Sequence, residues 1–154
     1  MRLLALGSCC AALGAASPAA AQISVTGMRD LAFGPVIVGI ASTVAPSDPL
    51  RSGRIRITAP AGSRLRLDFT VPNRLDGPGG ARLPIKFSNS DALAVGNAPG
   101  SVPEVLDPNP KAITRYQMGA STAVDIVLGG TVTPAGNQAP GSYIGTITLT
   151  VAIL

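Results

Sequence analysis

The stretch Tyr143-Ile144-Gly145-Thr146-Ile147-Thr148-Leu149-Thr150-Val151-Ala152-Ile153 is written in a period of two. Tyr143, Ile147, Leu149, Val151 and Ile153 fall on one side of an extended backbone, with Gly145 in the same row. Thr146, Thr148 and Thr150 fall on the other. Successive side chains of a strand point to opposite faces, so the pattern predicts a strand with one buried face, entered through a turn at Pro134 to Ser142.

Upstream, the same grammar repeats. Ala123 to Leu128 reads as a buried strand that stops at Gly129-Gly130, and Thr131-Val132-Thr133 continues it past a bulge. In Arg54-Ile55-Arg56-Ile57-Thr58 the isoleucines share one face and the arginines the other. In Arg64-Leu65-Arg66-Leu67-Asp68-Phe69 the leucines and Phe69 share a face. A hairpin of these two runs would set like charges opposite each other, which is unfavourable, so the runs belong in different sheets. Leu83 to Asn89 and Ile113 to Met118 predict further strands, and Ile23 to Thr26 alternates as a first one. Leu31 to Ile40 contains Gly34-Pro35, so it predicts an edge strand or one that switches sheets. Val71 to Ala81 reads as a loop, and Asp91 to Lys111, with prolines at 99, 103, 108 and 110, as a long irregular connection. Seven or eight strands between frequent turns predict an all-β, antiparallel two-sheet sandwich of the immunoglobulin-like kind. A membrane barrel would need aromatic girdles, which two tyrosines and three phenylalanines do not supply.

Residues 1–21 read differently. Arg2 gives a positive start, Leu3 to Leu13 an apolar run, and Ala19-Ala20-Ala21 a small-residue cleavage pattern: the three parts of a secretory signal peptide. The run is too short to cross a bilayer core of about 30 Å. Leu6-Gly7-Ser8-Cys9 has the form of a lipidation box, but it stands too close to the start to leave an apolar segment before it. The expected division is a signal peptide at 1–21 and one domain at 22–154, exported to the periplasm, the cell surface or the medium of a Gram-negative-type bacterium. Both cysteines, Cys9 and Cys10, lie in the leader, so the domain carries no disulfide. It keeps 11 of the 12 basic residues and all 8 acidic ones, a net charge of +3. That charge is too weak, and the rings too few, for a nucleic-acid platform.

The chemistry of catalysis is largely missing. With no histidine there is no imidazole base or metal ligand, and with no cysteine beyond the leader there is no thiol nucleophile. The acidic residues are scattered, and only a chance meeting of two would act on a glycosidic bond. Oxygen-rich loops at Asn73 to Asp76, Asn89 to Asp91 and Asp107 to Asn109 lack the alternating calcium pattern and are explained by turn propensity. The expectation is a non-enzymatic protein with no cofactor and no metal. Arg54, Arg56, Arg64 and Arg66 are candidate contacts to an anionic surface, or a solvated sheet face that discourages edge-to-edge pairing.

Leu31-Ala32-Phe33-Gly34, Gly129-Gly130-Thr131-Val132 and Pro140-Gly141-Ser142-Tyr143-Ile144-Gly145-Thr146-Ile147-Thr148-Leu149-Thr150-Val151 together resemble a bacterial domain-of-unknown-function family of short secreted proteins. That family is similar in pattern to spore coat U and chaperone–usher pilin subunits. The resemblance implies a pilin-like structural or adhesion subunit whose sandwich lacks a strand, filled by strand addition from a periplasmic chaperone or another copy. On that basis Ile23, Val25 and Gly27 are candidate donor residues, and Tyr143, Ile147, Leu149, Val151 and Ile153 the candidate acceptor edge. Ile23 to Thr26 as the first strand of its own sheet stays open beside the donor role. So does a monomeric binding module that uses the 91–111 loop or the arginine faces.

Expressed in a Gram-negative host, the exported protein is expected to have the mass of residues 22–154. An exported form that retains residues 1–21, or carries lipid on Cys9, would contradict this.

Overall fold

The computed structural model of the protein describes residues 22–97, 100, 102–109, 112 and 114–154. The expected leader lies outside them. The structure is an antiparallel all-β sandwich, and the described residues form twelve strands: β1 (Ser24–Arg29), β2 (Ser42–Val44), β3 (Gly53–Thr58), β4 (Arg64–Thr70), β5 (Arg74–Asp76), β6 (Arg82–Lys86), β7 (Ala92–Gly96), β8 (Glu104–Leu106), β9 (Thr114–Gln117), β10 (Ala123–Leu128), β11 (Gly130–Val132) and β12 (Thr148–Ile153). They form a five-stranded sheet in the order β1-β3-β10-β7-β8, a four-stranded sheet β2-β11-β6-β5 and a three-stranded sheet β12-β4-β9.

The five- and three-stranded sheets face each other across the main core. Ile57 of β3, Leu65 and Leu67 of β4, Val124, Ile126 and Leu128 of β10 are all buried there. The period-two reading is met in β3 and β4, since Ile57, Leu65, Leu67 and Phe69 are buried while Arg64 and Arg66 are exposed. The arginine-bearing runs lie in different sheets, as the charge argument requires: β3 in the five-stranded sheet, β4 in the three-stranded one. A smaller core of Leu75, Leu83, Ile85 and Val132 lies under the four-stranded sheet, with Phe33, Phe87 and Tyr143 packed against it.

The chain passes between sheets at Gly129. β10 ends at Leu128 in the five-stranded sheet, and β11 begins at Gly130 in the four-stranded one. The site expected as a bulge is therefore a sheet crossing. A Cβ at Gly129 would meet the Val44 carbonyl oxygen and come within 2.8 Å of Pro46 Cδ, so the backbones approach too closely for any other residue.

Several expectations are corrected. Leu31 to Ile40 contains no strand, because Gly34 and Gly39 turn the chain at φ of 67° and 76°. The 71–81 segment contains β5, and the 91–111 segment contains β7 and β8. β7 was hidden because its inward residues are Ala92 and Ala94, which carry no β-branched signature. The C-terminal strand starts at Thr148.

Gly129→Ala is expected to lower unfolding free energy in urea by about 2–3 kcal/mol through overpacking. Gly136→Ala, where a Cβ meets nothing within 4 Å, is expected to stay within about 0.5 kcal/mol of the parent. Equal costs at the two positions would contradict the close crossing.

Candidate functional site

β1 pairs with β3 in the register Val25↔Ile57 and Gly27↔Ile55, with an irregularity between Gly27 and Arg29. Among the described residues it is the outermost strand of its sheet, with no strand beside its far edge. β12 is likewise outermost, pairing with β4 through Leu149↔Phe69 and Val151↔Leu67. A groove of about 1190 Å³ opens from β1 to the start of β12, lined by Val25 and Gly27, by Thr148 and Leu149, and mainly by the irregular 30–36 and 138–147 segments. Val25, Leu31, Phe33, Ile55, Ile147 and Leu149 are among the apolar side chains that line it. None of the six is fully buried, and Val25 is 43% exposed although it points the same way as the core residue Ile57. An inward-facing strand residue left that open marks a core that is not closed at this seam.

Each wall of the groove is fixed from behind. On the β1 side, Arg29 donates from Nε to the Ser52 carbonyl at 2.7 Å, from Nη2 to Ser52 Oγ at 2.8 Å, and from Nη1 to the Pro49 carbonyl. The loop it grips is organised by Asp48. The Asp48 carboxylate accepts from the backbone N–H groups of Leu50 and Arg51, both at 2.9 Å, and pairs with Arg51 Nε at 2.9 Å. These backbone N–H groups, first that of Leu50, hold the carboxyl below its ordinary pKa. The carbonyl of Arg51 in turn accepts from the Ala32 N–H at 2.9 Å, which tethers the Leu31–Phe33 part of the groove.

The other wall is the segment before β12. It does not extend the strand; Ile144 bridges Asp76 of β5 through a pair of backbone hydrogen bonds, 2.8 and 2.9 Å. Tyr143 lies against Gly77, where a Cβ would collide with the ring. Its hydroxyl donates to the Ala139 carbonyl at 2.6 Å and accepts from Gln138 Nε2 at 2.6 Å. A tyrosine tied back to backbone a few residues upstream is the corner device of immunoglobulin-like sandwiches. Gly145 lies against Leu75, whose Cδ2 would stand 2.6 Å from an added Cβ. This leaves Ile144 74% exposed on the rim.

The predicted residues thus divide. Ile147, Leu149 and Val151 pack against the main core from the β12 side, Tyr143 belongs to the smaller core, and Ile153 is exposed. Ile23 packs on the main core, and Val25 and Gly27 line the groove from β1. Within this chain the N-terminal segment pairs with β3 as an outer strand of the five-stranded sheet. Leu31, Phe33 and Ile55 were not named as site residues in the sequence reading: Ile55 stood in an alternating run, and Leu31 and Phe33 in the Leu31–Gly34 stretch that contributed to the resemblance.

Arg54 and Arg56 are directed at Asp125 on the outer face of β10. Arg56 binds it through Nε at 2.7 Å and Nη2 at 2.9 Å, and Arg54 Nη1 stands 3.9 Å away. The carboxylate is 3% exposed, and its hydrogen bonds raise the Arg56 guanidinium above its ordinary pKa. Arg56, and Arg54 at longer range, thus offset the buried Asp125 charge, while both side chains stay about 40% exposed. Among the described residues no three His, Cys, Asp or Glu side chains come together to hold a metal, and no helix is long and apolar enough to cross a membrane. No family model matches the chain, nor does any curated protein or solved structure.

Because the folded Asp48 carboxyl titrates below its ordinary 3.8, it contributes stability above that pH. The contribution is lost as pH falls through the depressed folded value. Asp48→Ala is therefore expected to lower the melting temperature at neutral pH and to lose less than the parent between about pH 5 and pH 2. Parallel melting curves for the two proteins down the acid limb would contradict this.

Proposed function

We propose that the protein is a non-enzymatic, exported, pilin-like structural subunit whose sandwich is completed by an extended segment of another polypeptide. The observation that carries this is the apolar groove that opens from β1 to the start of β12. Its volume exceeds the roughly 300–1,000 Å³ of pockets for drug-sized ligands. Two sheet edges bound it, and an edge strand offers unpaired N–H and C=O groups. An extended chain fits both demands at once, because it pairs its backbone with an edge and buries alternate side chains. Ile23, Val25 and Gly27 then belong to the acceptor, with Ile147 and Leu149 opposite, and the donor comes from a periplasmic chaperone or another subunit. The 91–111 segment, on which a monomeric binding module would depend, is tied into the five-stranded sheet at Ala92–Gly96 and Glu104–Leu106.

The test is to append a turn and a ten-residue alternating Val/Thr segment after Leu154. Folding back antiparallel to β12, the segment runs along its free edge into the groove. Each valine buried there contributes about 1.5 kcal/mol or more before the entropy of ordering is subtracted. The melting temperature is expected to rise by roughly 5 °C over the same composition with the valines made contiguous. Equal melting temperatures would overturn strand completion. A second variant, Leu149→Lys in the appended protein, is expected to abolish the gain.

A further inference from the structure

We infer that the outer face of the three-stranded sheet binds a linear acidic polysaccharide through Arg64, Arg66 and Arg115. This is independent of the groove, since β4 and β9 carry these residues on the side away from the core. Arg66 lies directly opposite Arg115 in the ladder, and Arg64 opposite Gln117. Like charges set opposite across a sheet repel, and Asp68, paired with Arg66, offsets only one of the three positive charges, so the face keeps a net positive charge that an anion would relieve.

The guanidinium groups are held in a way that leaves their outer nitrogens available. Arg64 is anchored only through Nε, to Gln117 Oε1 at 3.1 Å. Arg66 is likewise anchored only through Nε, to the carboxylate of Asp68, 3.1 Å to Oδ1 and 3.0 Å to Oδ2. Arg115 is exposed and makes no hydrogen bond or ion pair with the described residues. The terminal nitrogens of all three therefore face solvent as forks suited to bidentate contact with carboxylate or sulfate. Anchoring at Nε also reduces the side-chain entropy lost on binding. Arg56, by contrast, spends both Nε and Nη2 on Asp125.

The rest of the face selects the partner class. Arg64 and Arg66 are two residues apart on one strand, about 6.8 Å, and Arg115 is one strand over, about 4.8 Å. That array suits acid groups repeated along an extended chain. Thr148, Thr150 and Ala152 of β12 share this side, and Leu154, whose N–H pairs with the Arg64 carbonyl, adds a single apolar side chain at its rim, 61% exposed, which is little to enter a membrane interface. Among the described residues the face carries no aromatic ring on which a nucleobase could stack, because Tyr116 packs against the core. The face is mainly polar, which matches a hydrated sugar chain.

The experiment measures binding of the 22–154 protein to alginate and to heparin at low and physiological salt, with anionic phospholipid vesicles and poly-glutamate in parallel. Saturable binding to a polysaccharide is expected, weakening as salt rises. R64Q/R66Q/R115Q is expected to bind about tenfold more weakly or worse, since three charge-assisted forks are lost. R74Q/R82Q, which removes two arginines from the four-stranded sheet, is expected to bind as the parent. Far-UV circular dichroism and melting check that the triple variant is folded. If it is not, the single variant R115Q, which breaks no internal bond, replaces it with an expected loss of about twofold. Absence of polysaccharide binding, equal loss in R74Q/R82Q, or tighter binding to vesicles or poly-glutamate would overturn the inference.

Discussion

Backbone amides and carbonyls at the edge of a sheet need partners, and apolar side chains that point inward from that edge need cover. β1 and β12 carry both needs on facing sides of one groove. Val25 points the same way as Ile57, and Leu149 sits opposite Phe69, yet neither Val25 nor Leu149 is closed over as its neighbour is. The remainder of the molecule holds these two edges at a fixed separation. β3 and β10 carry β1 from one side, and β4 carries β12 from the other.

The division into three sheets follows from one crossing. At Gly129 the chain leaves the five-stranded sheet beside Pro46 and starts β11, which brings β6 and β5 into position behind the groove. β5 then receives Ile144 through Asp76, and this bridge keeps the segment before β12 from continuing as a strand. Tyr143 and Gly145 do for this wall what Arg29 and Asp48 do for the other. Charged and polar groups are thus used mainly as fixings behind an apolar seam, and the buried Asp125 with Arg56 serves the outer face of the same sheet.

Strongly patterned strands were legible because alternation of large apolar with charged residues has only one reading. Ile55/Ile57 against Arg54/Arg56 and Leu65/Leu67/Phe69 against Arg64/Arg66 gave both the inward face and, through charge repulsion, the placement in separate sheets. β5, β7 and β8 were not legible: they are only three to five residues long, and the inward side chains of β7 are alanines. Alanine at Ala92 and Ala94 packs where little space is left, a property of the assembled core that no local pattern carries. Leu31 to Ile40 misled in the opposite sense. Its apolar content is that of a strand, but two glycines at positive φ turn it into an irregular wall. The acceptor side of the candidate site was visible in the Tyr143–Ile153 pattern. The groove itself was not, because it arises from two edges 120 residues apart that only the sheet order brings together.

Amide hydrogen exchange along β12 in the monomeric 22–154 protein tests the unclosed seam most directly. Alternate amides of Leu149 to Ile153 point toward β4, and the others point away from it. With the edge open, the outward set exchanges within about tenfold of unprotected rates while the inward set is protected together with the core. Uniform protection of both sets in the isolated monomer would mean that the edge already has a partner within the chain, and the incomplete sandwich would be contradicted.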